Sequence, residues 1–444
     1  MLIQFTTENF LSFKDPATLS MVAGKIRSKN KALDGDATFS LSDGVKLLKC
    51  ALVYGANASG KSNLFAAMRF MRAFVLDSSK ESQAGEMINT KPFRLMAGFD
   101  AKPSTFEITF AIADVLYQYA FSADQEAVHA ESLIAVTHHK EETLFERTAE
   151  KITLHKKFAE GKLLAEKTRK NALFLSVCAN FDGAISGKIL HWFRTLTIIS
   201  GIEDGNLMAI TRQCLAGDKQ EQISAFLKNF DLGIERIGLG DESEDDALAA
   251  NVSKELKALL DSAKKLAQAA GLPVRRVINS YHRAFDSQGE AQNDIAFDLR
   301  DESEGSKKLI ALSGLLVETL ERGAVLFIDE FDARLHPIVS NKIVTLFNSS
   351  NLNPKNAQLI VATHDTNLLD KDILRRDQIW FAEKDQLGAS HLSSLVEFRV
   401  RNDASFEKDY IMGKYGAVPI LGNMNQIFGK VGIAPQMPGA GNGE

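Results

Sequence analysis

A chain of 444 residues with 45% hydrophobic and 25% charged residues has the composition of an ordinary globular protein, with length for roughly one to three domains. Its net charge of −5 excludes a uniformly basic coat for nucleic acid, though not a local basic groove. Cys50, Cys178 and Cys214 stand far apart without a C-x-x-C, which points to reduced thiols in a cytoplasmic protein; no membrane span or signal-peptide pattern is legible.

Met1 to Phe13 (MLIQFTTENFLSF) predicts two short strands around a turn at Glu8-Asn9. Such a hairpin either covers a nucleotide base or packs as an edge. Lys25 to Asp43 is polar and predicts a mobile loop. Cys50 to Tyr54 is an apolar run suited to a buried strand. Gly55-Ala56-Asn57-Ala58-Ser59-Gly60-Lys61-Ser62 then fits G-x-x-x-x-G-K-[ST], with Asn63 next. Leu64, Met68, Met71 and Val75 follow at helical spacing, so strand, glycine loop and helix stand in the required order. The glycines let backbone N–H groups turn inward on phosphate oxygens, and the helix N-terminus adds partial positive charge. Lys61 would reach the β- and γ-phosphates, and the Ser62 hydroxyl would ligate Mg²⁺.

Asp77 to Gly85 reads as loop. Ser104 to Phe110, Tyr117 to Phe121 and Ser132 to Val136 alternate like half-buried antiparallel strands, a layer beside the parallel sheet. Lysine-rich Lys151 to Thr168 reads as a solvated face. Leu207 to Phe230 and Ala247 to Ala270 predict helices, with the acidic stretch Asp241 to Asp246 a solvated loop between them.

Glu302-Ser303-Glu304-Gly305-Ser306-Lys307-Lys308 precedes an amphipathic helix marked by Leu309, Leu312, Leu316 and Leu320. Ser303 and Gly305 therefore stand at a helix N-terminus. That position suits an anion, and Ser303 or Ser306 also suits a cap. Gly323 to Glu330 (GAVLFIDE) predicts a buried strand ending in two carboxylates. Asp329 would hold Mg²⁺ through water, and Glu330 is a candidate general base. Gln358 to Thr363 is another buried strand, and His364 just past its end lies on the ligand side of an open parallel sheet.

This order of parts resembles the ATP-binding-cassette ATPase heads of the SMC, RecF and OLD branch. Within that branch it looks most like the RloA and AbiL-type abortive-infection ATPases of phage-defence loci. The likeness runs through IQFTTENFLSFKD, GANASGKSN, ESEGSKKL, LFIDEFDARLHP and VATHD. It continues in RRDQIWFAEKD, in DASFEKDYIMGKYGAVP, and from PSTFEITF through YQYAFS. It implies an α/β fold: an ABC-type head with a mostly parallel core, an antiparallel lid and a helical insertion. Gly55 to Ser62 would be Walker A, Asp329 the Walker B magnesium residue, Glu330 the catalytic glutamate and His364 the switch histidine. Asp332, in Phe331-Asp332-Ala333-Arg334, would belong to the D-loop. Ser303 and Gly305 would bind the γ-phosphate of a second protomer.

The resemblance further implies ATP and Mg²⁺ as cofactors, a homo-oligomer with at least an ATP-dependent dimer, and DNA or a phage protein as trigger. About 80 residues follow His364, too few for a fused Toprim nuclease domain, so a separate effector such as a Toprim-type nuclease is expected. The expected layout is residues 1–100 for the first half of the head, 101–145 for the lid and 146–280 for the helical insertion. Residues 281–430 would complete the head, and 431–444 would form a flexible tail. Two other classes stay open: a RecF-like DNA-binding repair ATPase, and a scaffold that holds ATP without hydrolysing it.

Overall fold

The computed structural model describes residues 1–42, 44–80, 83, 85–137, 139–241, 276–400 and 404–419. The helix expected over 247–270, the acidic stretch beyond residue 241 and the tail from 434 lie outside them. The fold is α/β. Its centre is a six-stranded sheet in the order Thr197–Ser200, Val325–Asp329, Gln358–Ala362, Cys50–Tyr54, Ile379–Lys384, Ser390–Ser394. The first five strands are parallel and the last is antiparallel. Parallel strands bury both faces, which is why these segments read as continuous apolar runs.

Side chains alternate across each strand, and the two faces feed separate cores. Ala51, Val53, Val325, Phe327, Ile360 and Ala362 point to one core, which holds the helix Lys61–Asp77. Cys50, Leu52, Tyr54, Leu326, Ile328, Leu359 and Val361 point to the other, with the helices Glu304–Arg322 and Pro337–Asn348.

A second, seven-stranded antiparallel sheet covers the far side of Lys61–Asp77. Its order is Ile152–Leu154, Lys140–Arg147, Val128–Thr137, Val115–Ala123, Ser104–Ile112, Leu2–Glu8, Ala17–Ser20. The helix is therefore clamped between two sheets. Phe65 meets Phe327 of the parallel sheet at 5.5 Å between ring centroids, and Phe74 meets Phe121 of the antiparallel one at 5.5 Å. The meander expected beside the parallel sheet is present and gains two further strands.

Several expectations are corrected. The N-terminal strand Leu2–Glu8 forms, but Phe10 to Phe13 is a tight turn closed by two 2.9 Å backbone bonds, and the second strand is Ala17–Ser20. Phe10 packs on Phe106 at 5.1 Å instead of alternating along a strand. The hairpin does pack at an edge: Leu2–Glu8 pairs with Ser104–Ile112, and Ala17–Ser20 is the outermost strand of the sheet. The loop expected over residues 25–43 contains the helix Lys31–Asp36 and the strand Thr38–Ser40, paired with Lys46–Leu48. Asn30 caps that helix, and Asp34 pairs with Arg375 at 2.5 Å, which fastens the segment to the head. The stretch expected as helical from Leu207 to Phe230 is helical, as two helices, Asp204–Ala216 and Gln220–Lys228, parted at Gly217.

The segment 146–280 holds the helices Phe174–Asn180 and Ala184–Thr195. It also supplies Thr197–Ser200 to the parallel sheet, beside Val325–Asp329. Thr197, Ile198 and Ile199 are β-branched, which favours a strand over a continuing helix.

Candidate nucleotide site

Because the five strands run parallel, Tyr54, Asp329 and Ala362 end at the same edge of the sheet. The loop Gly55 to Gly60, the pair Asp329-Glu330, and Thr363-His364 therefore border one crevice, as strand order in an open α/β sheet requires. Gly60 stands at the N-cap of Lys61–Asp77 with φ 113° and has no side chain to cap the helix. The first-turn N–H groups are left for a ligand. A Cβ on Gly60 would lie 2.3 Å from Ser390 Oγ, so space and backbone angle both demand glycine. Ala58 also takes a left-handed backbone, φ 63°. Ala56 is partly buried, Asn57 and Ser62 are exposed, and the buried Ser59 Oγ has no hydrogen-bond partner.

The buried Lys61 donates to the carbonyl oxygens of Gly55 at 2.7 Å and Ala56 at 3.1 Å, folding back over its own loop. Burial holds its ammonium below the usual lysine range, while Asp329, Asp332 and Glu330 pull it back up. Asp329 Oδ1 is buried and unpartnered. A buried carboxylate oxygen without a donor fits a site for a divalent cation or its water.

A family described as "AAA domain, putative AbiEii toxin, Type IV TA system" matches residues 50–194 and 212–370. The chain belongs to that family. It is an ATPase, and the phosphate loop just described lies at the start of the matched region. No curated protein matches it. Among solved structures, this AAA-family chain is similar to an SMC head bound to the C-winged helix domain of ScpA. The identity is 13%, with 88% of this chain and 97% of that one covered and a TM-score of 0.41. It is similar to the SMC head domain from Thermotoga maritima at 14% identity, with 90% and 99% covered and a TM-score of 0.39. CbiO1 of Clostridium perfringens, part of the ABC transporter complex cbiONQ, is similar at 14% identity, with 82% and 87% covered and a TM-score of 0.26.

Around the loop of this AAA-family chain, the carboxylates and the histidine are drawn together by backbone bonds. Phe331 N–H donates to Ala362 O at 3.0 Å, and Asp332 Oδ1 accepts the His364 N–H at 3.1 Å. Glu330 itself has φ 52°, uncommon for a residue with a side chain. Loss of solvent and the charge of Lys61 lower the His364 imidazole pKa, against the opposing pull of Asp332, Glu330 and Asp329. Those five groups thus share one electrostatic neighbourhood.

Ser303 is the N-cap of Glu304–Arg322. Its Oγ accepts the Ser306 N–H at 3.1 Å and shares a 2.9 Å bond with Ser306 Oγ. The capping role is met within the chain. Gly305 lies beside the turn Phe331 to Arg334, where a Cβ would stand 3.5 Å from Arg334 O. Sequence reasoning missed Ser12 and Ser390, which brace the outside of the phosphate loop. Asn63 donates to Ser12 Oγ at 2.7 Å, and Ser390 donates to Ser59 O at 2.6 Å. No spacing marks either serine, because their proximity exists only in the folded chain. Among the described residues, no helix is long and apolar enough to cross a membrane.

Proposed function

We propose that this chain is the ATP-driven switch of an abortive-infection, phage-defence complex, controlling a separate nuclease or toxin effector. The observation that carries the catalytic part is the buried, unpartnered Asp329 Oδ1 at the strand end facing the loop that holds Lys61. The defence part rests on the family's description, which names a toxin and a toxin–antitoxin system, and on the resemblance to RloA and AbiL-type ATPases.

In this reading Gly55 to Asn63 cradle the triphosphate with backbone N–H groups, and Lys61 exchanges its loop carbonyls for the β- and γ-phosphates. Ser62 and Asp329 would hold Mg²⁺, which supplies neutralisation of phosphate charge when bound. Glu330 accepts the proton of the attacking water, and His364 hydrogen-bonds the γ-phosphate. The lowered pKa of His364 keeps it neutral near pH 7 until phosphate arrives. Asp332 orients the His364 backbone. Ser303 and Gly305 complete the site of a second copy, in a two-fold dimer that ATP closes.

The test pairs chemistry with phenotype. Purified Glu330→Gln should bind MgATP like the wild type yet turn it over about 100-fold more slowly, the usual size of a lost general base. Lys61→Ala and Glu330→Gln should each remove protection of host cells against phage. Wild-type turnover by Glu330→Gln would refute the catalytic assignment. Full protection by both variants would refute the switch.

A further inference from the structure

We infer that Lys308, Asp204 and Gly201 form a positioning unit that ties the first turn of the helix Glu304–Arg322 to the backbone of Asp329 and Glu330. It rests on the ATPase reading above and adds residues that no comparison assigns. Lys308 is fully buried, one turn beyond the Ser303 cap. A buried ammonium is costly unless paired and hydrogen-bonded. Lys308 Nζ donates to the Gly201 carbonyl, and to Asp204 Oδ1 at 2.8 Å.

Gly201 carries the connection onward. It follows the strand Thr197–Ser200, whose Ser200 is in register with Asp329. Its N–H donates to Asp329 O at 2.6 Å. A Cβ at Gly201 would stand 2.1 Å from Glu330 O, so its peptide lies flush against the backbone of both carboxylate residues and only glycine allows it. Glu330 is itself in a left-handed conformation, φ 52°, that its surroundings must hold.

Asp204 is the joint. Its second oxygen takes Arg334 Nη1 at 2.5 Å, two residues past Asp332, and Arg334 also lies 3.5 Å from Glu304. One carboxylate thus joins the helix start, the turn after Glu330 and the strand end beside Asp329. A shift in the first turn of Glu304–Arg322, such as phosphate docking at Ser303 and Gly305 would produce, is passed through Lys308 to Gly201 and on to Glu330. Lys308 and Asp204 touch neither nucleotide nor water in this scheme. They set where the base points.

The experiment is steady-state hydrolysis of MgATP by the full chain, with nucleotide affinity measured separately. Asp204→Asn and Lys308→Met should each lower kcat by about tenfold or more, the usual effect of losing an outer-shell partner. KM and ATP affinity should stay within about threefold of wild type, since the phosphate loop is untouched. The double variant should be no slower than the slower single one, because the residues act as a unit. Lys308→Arg should recover part of kcat. Should Lys308→Met not fold, Asp204→Asn and Arg334→Gln decide on the same terms. Unchanged kcat, or ATP affinity falling in step with kcat, overturns the positioning role while wild-type turnover preserves the ATPase reading. Absence of turnover by the wild type overturns both.

Discussion

Ser12 and Ser390 are 378 residues apart in the chain and share a 2.7 Å hydrogen bond between their hydroxyls, both buried beside the phosphate loop. The Ser390 N–H also donates to Ser12 O at 2.7 Å. The outer wall of the loop is thus built from the N-terminal turn and the last strand of the parallel sheet. Gly60 is wedged against that wall. Gly60→Ala should therefore weaken ATP binding by about 10–100-fold, since a left-handed backbone and a 2.3 Å clash with Ser390 Oγ cannot both be relieved. Adding Ser390→Ala should restore little, because φ 113° remains. Titration of nucleotide with each variant checks this, with circular dichroism as the fold control.

Lys61 directs its ammonium at two loop carbonyls, those of Gly55 and Ala56. Lys61→Ala should leave the fold intact and lower ATP affinity by at least about tenfold, the scale of a charged hydrogen bond of ~1.5–3 kcal/mol. Wild-type affinity in a folded variant would show that triphosphate binds elsewhere.

The His364 pKa is lowered below the ordinary 6.5. Below its folded pKa the ring is protonated, and between that value and 6.5 the folded form holds fewer protons than the unfolded one. The acid limb of kcat/KM against pH, which reports the free protein, should therefore lie below pH 6.5. In His364→Gln that limb should be missing and kcat lower throughout. A limb above pH 6.5, or one unchanged in the variant, would assign the titration to another group.

Trans assembly has its own readout. Glu330→Gln with MgATP should accumulate a closed dimer, because phosphate ligands remain when the base is gone. Adding Ser303→Arg should undo it by placing bulk and charge where the partner's phosphate docks. Light scattering reports the mass. A crosslink between Ser303→Cys and an engineered phosphate-loop cysteine should form faster with ATP than without it, and equal rates would remove Ser303 from the site.

Glu131 is buried in the antiparallel sheet. It accepts the Phe174 N–H at 2.7 Å, the Leu175 N–H at 2.9 Å and the Tyr119 hydroxyl at 3.0 Å, with Arg147 at 3.5 Å. It docks the start of the helix Phe174–Asn180 onto the sheet. Glu131→Ala should cost about 3–5 kcal/mol, because Arg147 keeps its bonds to the carbonyls of Ala172, Arg169 and Lys170 but loses its counter-charge, and the Phe174 and Leu175 N–H groups and the Tyr119 hydroxyl lose their acceptor. Chemical denaturation measures that loss, and a change within about 1 kcal/mol would show that the pair is dispensable.

Those parts of the protein whose cause is local are legible in its residues alone. The G-x-x-x-x-G-K-S spacing, the helix carrying Leu64, Met68, Met71 and Val75, and the apolar runs ending at Tyr54, Asp329 and Ala362 are periodicities of single elements. Parallel pairing then brings their ends together without further information. The remaining features depend on contacts between distant segments. Thr197–Ser200 joins the parallel sheet from within a segment that reads as helical, because its place depends on the free edge of Val325–Asp329. The helix Lys31–Asp36 is fastened by Arg375, more than 300 residues away. The Ser12–Ser390 brace and the Lys308–Gly201–Asp329 chain likewise join residues with no shared period or spacing. Such contacts are set by the packing of whole layers, and local sequence carries no signal for them.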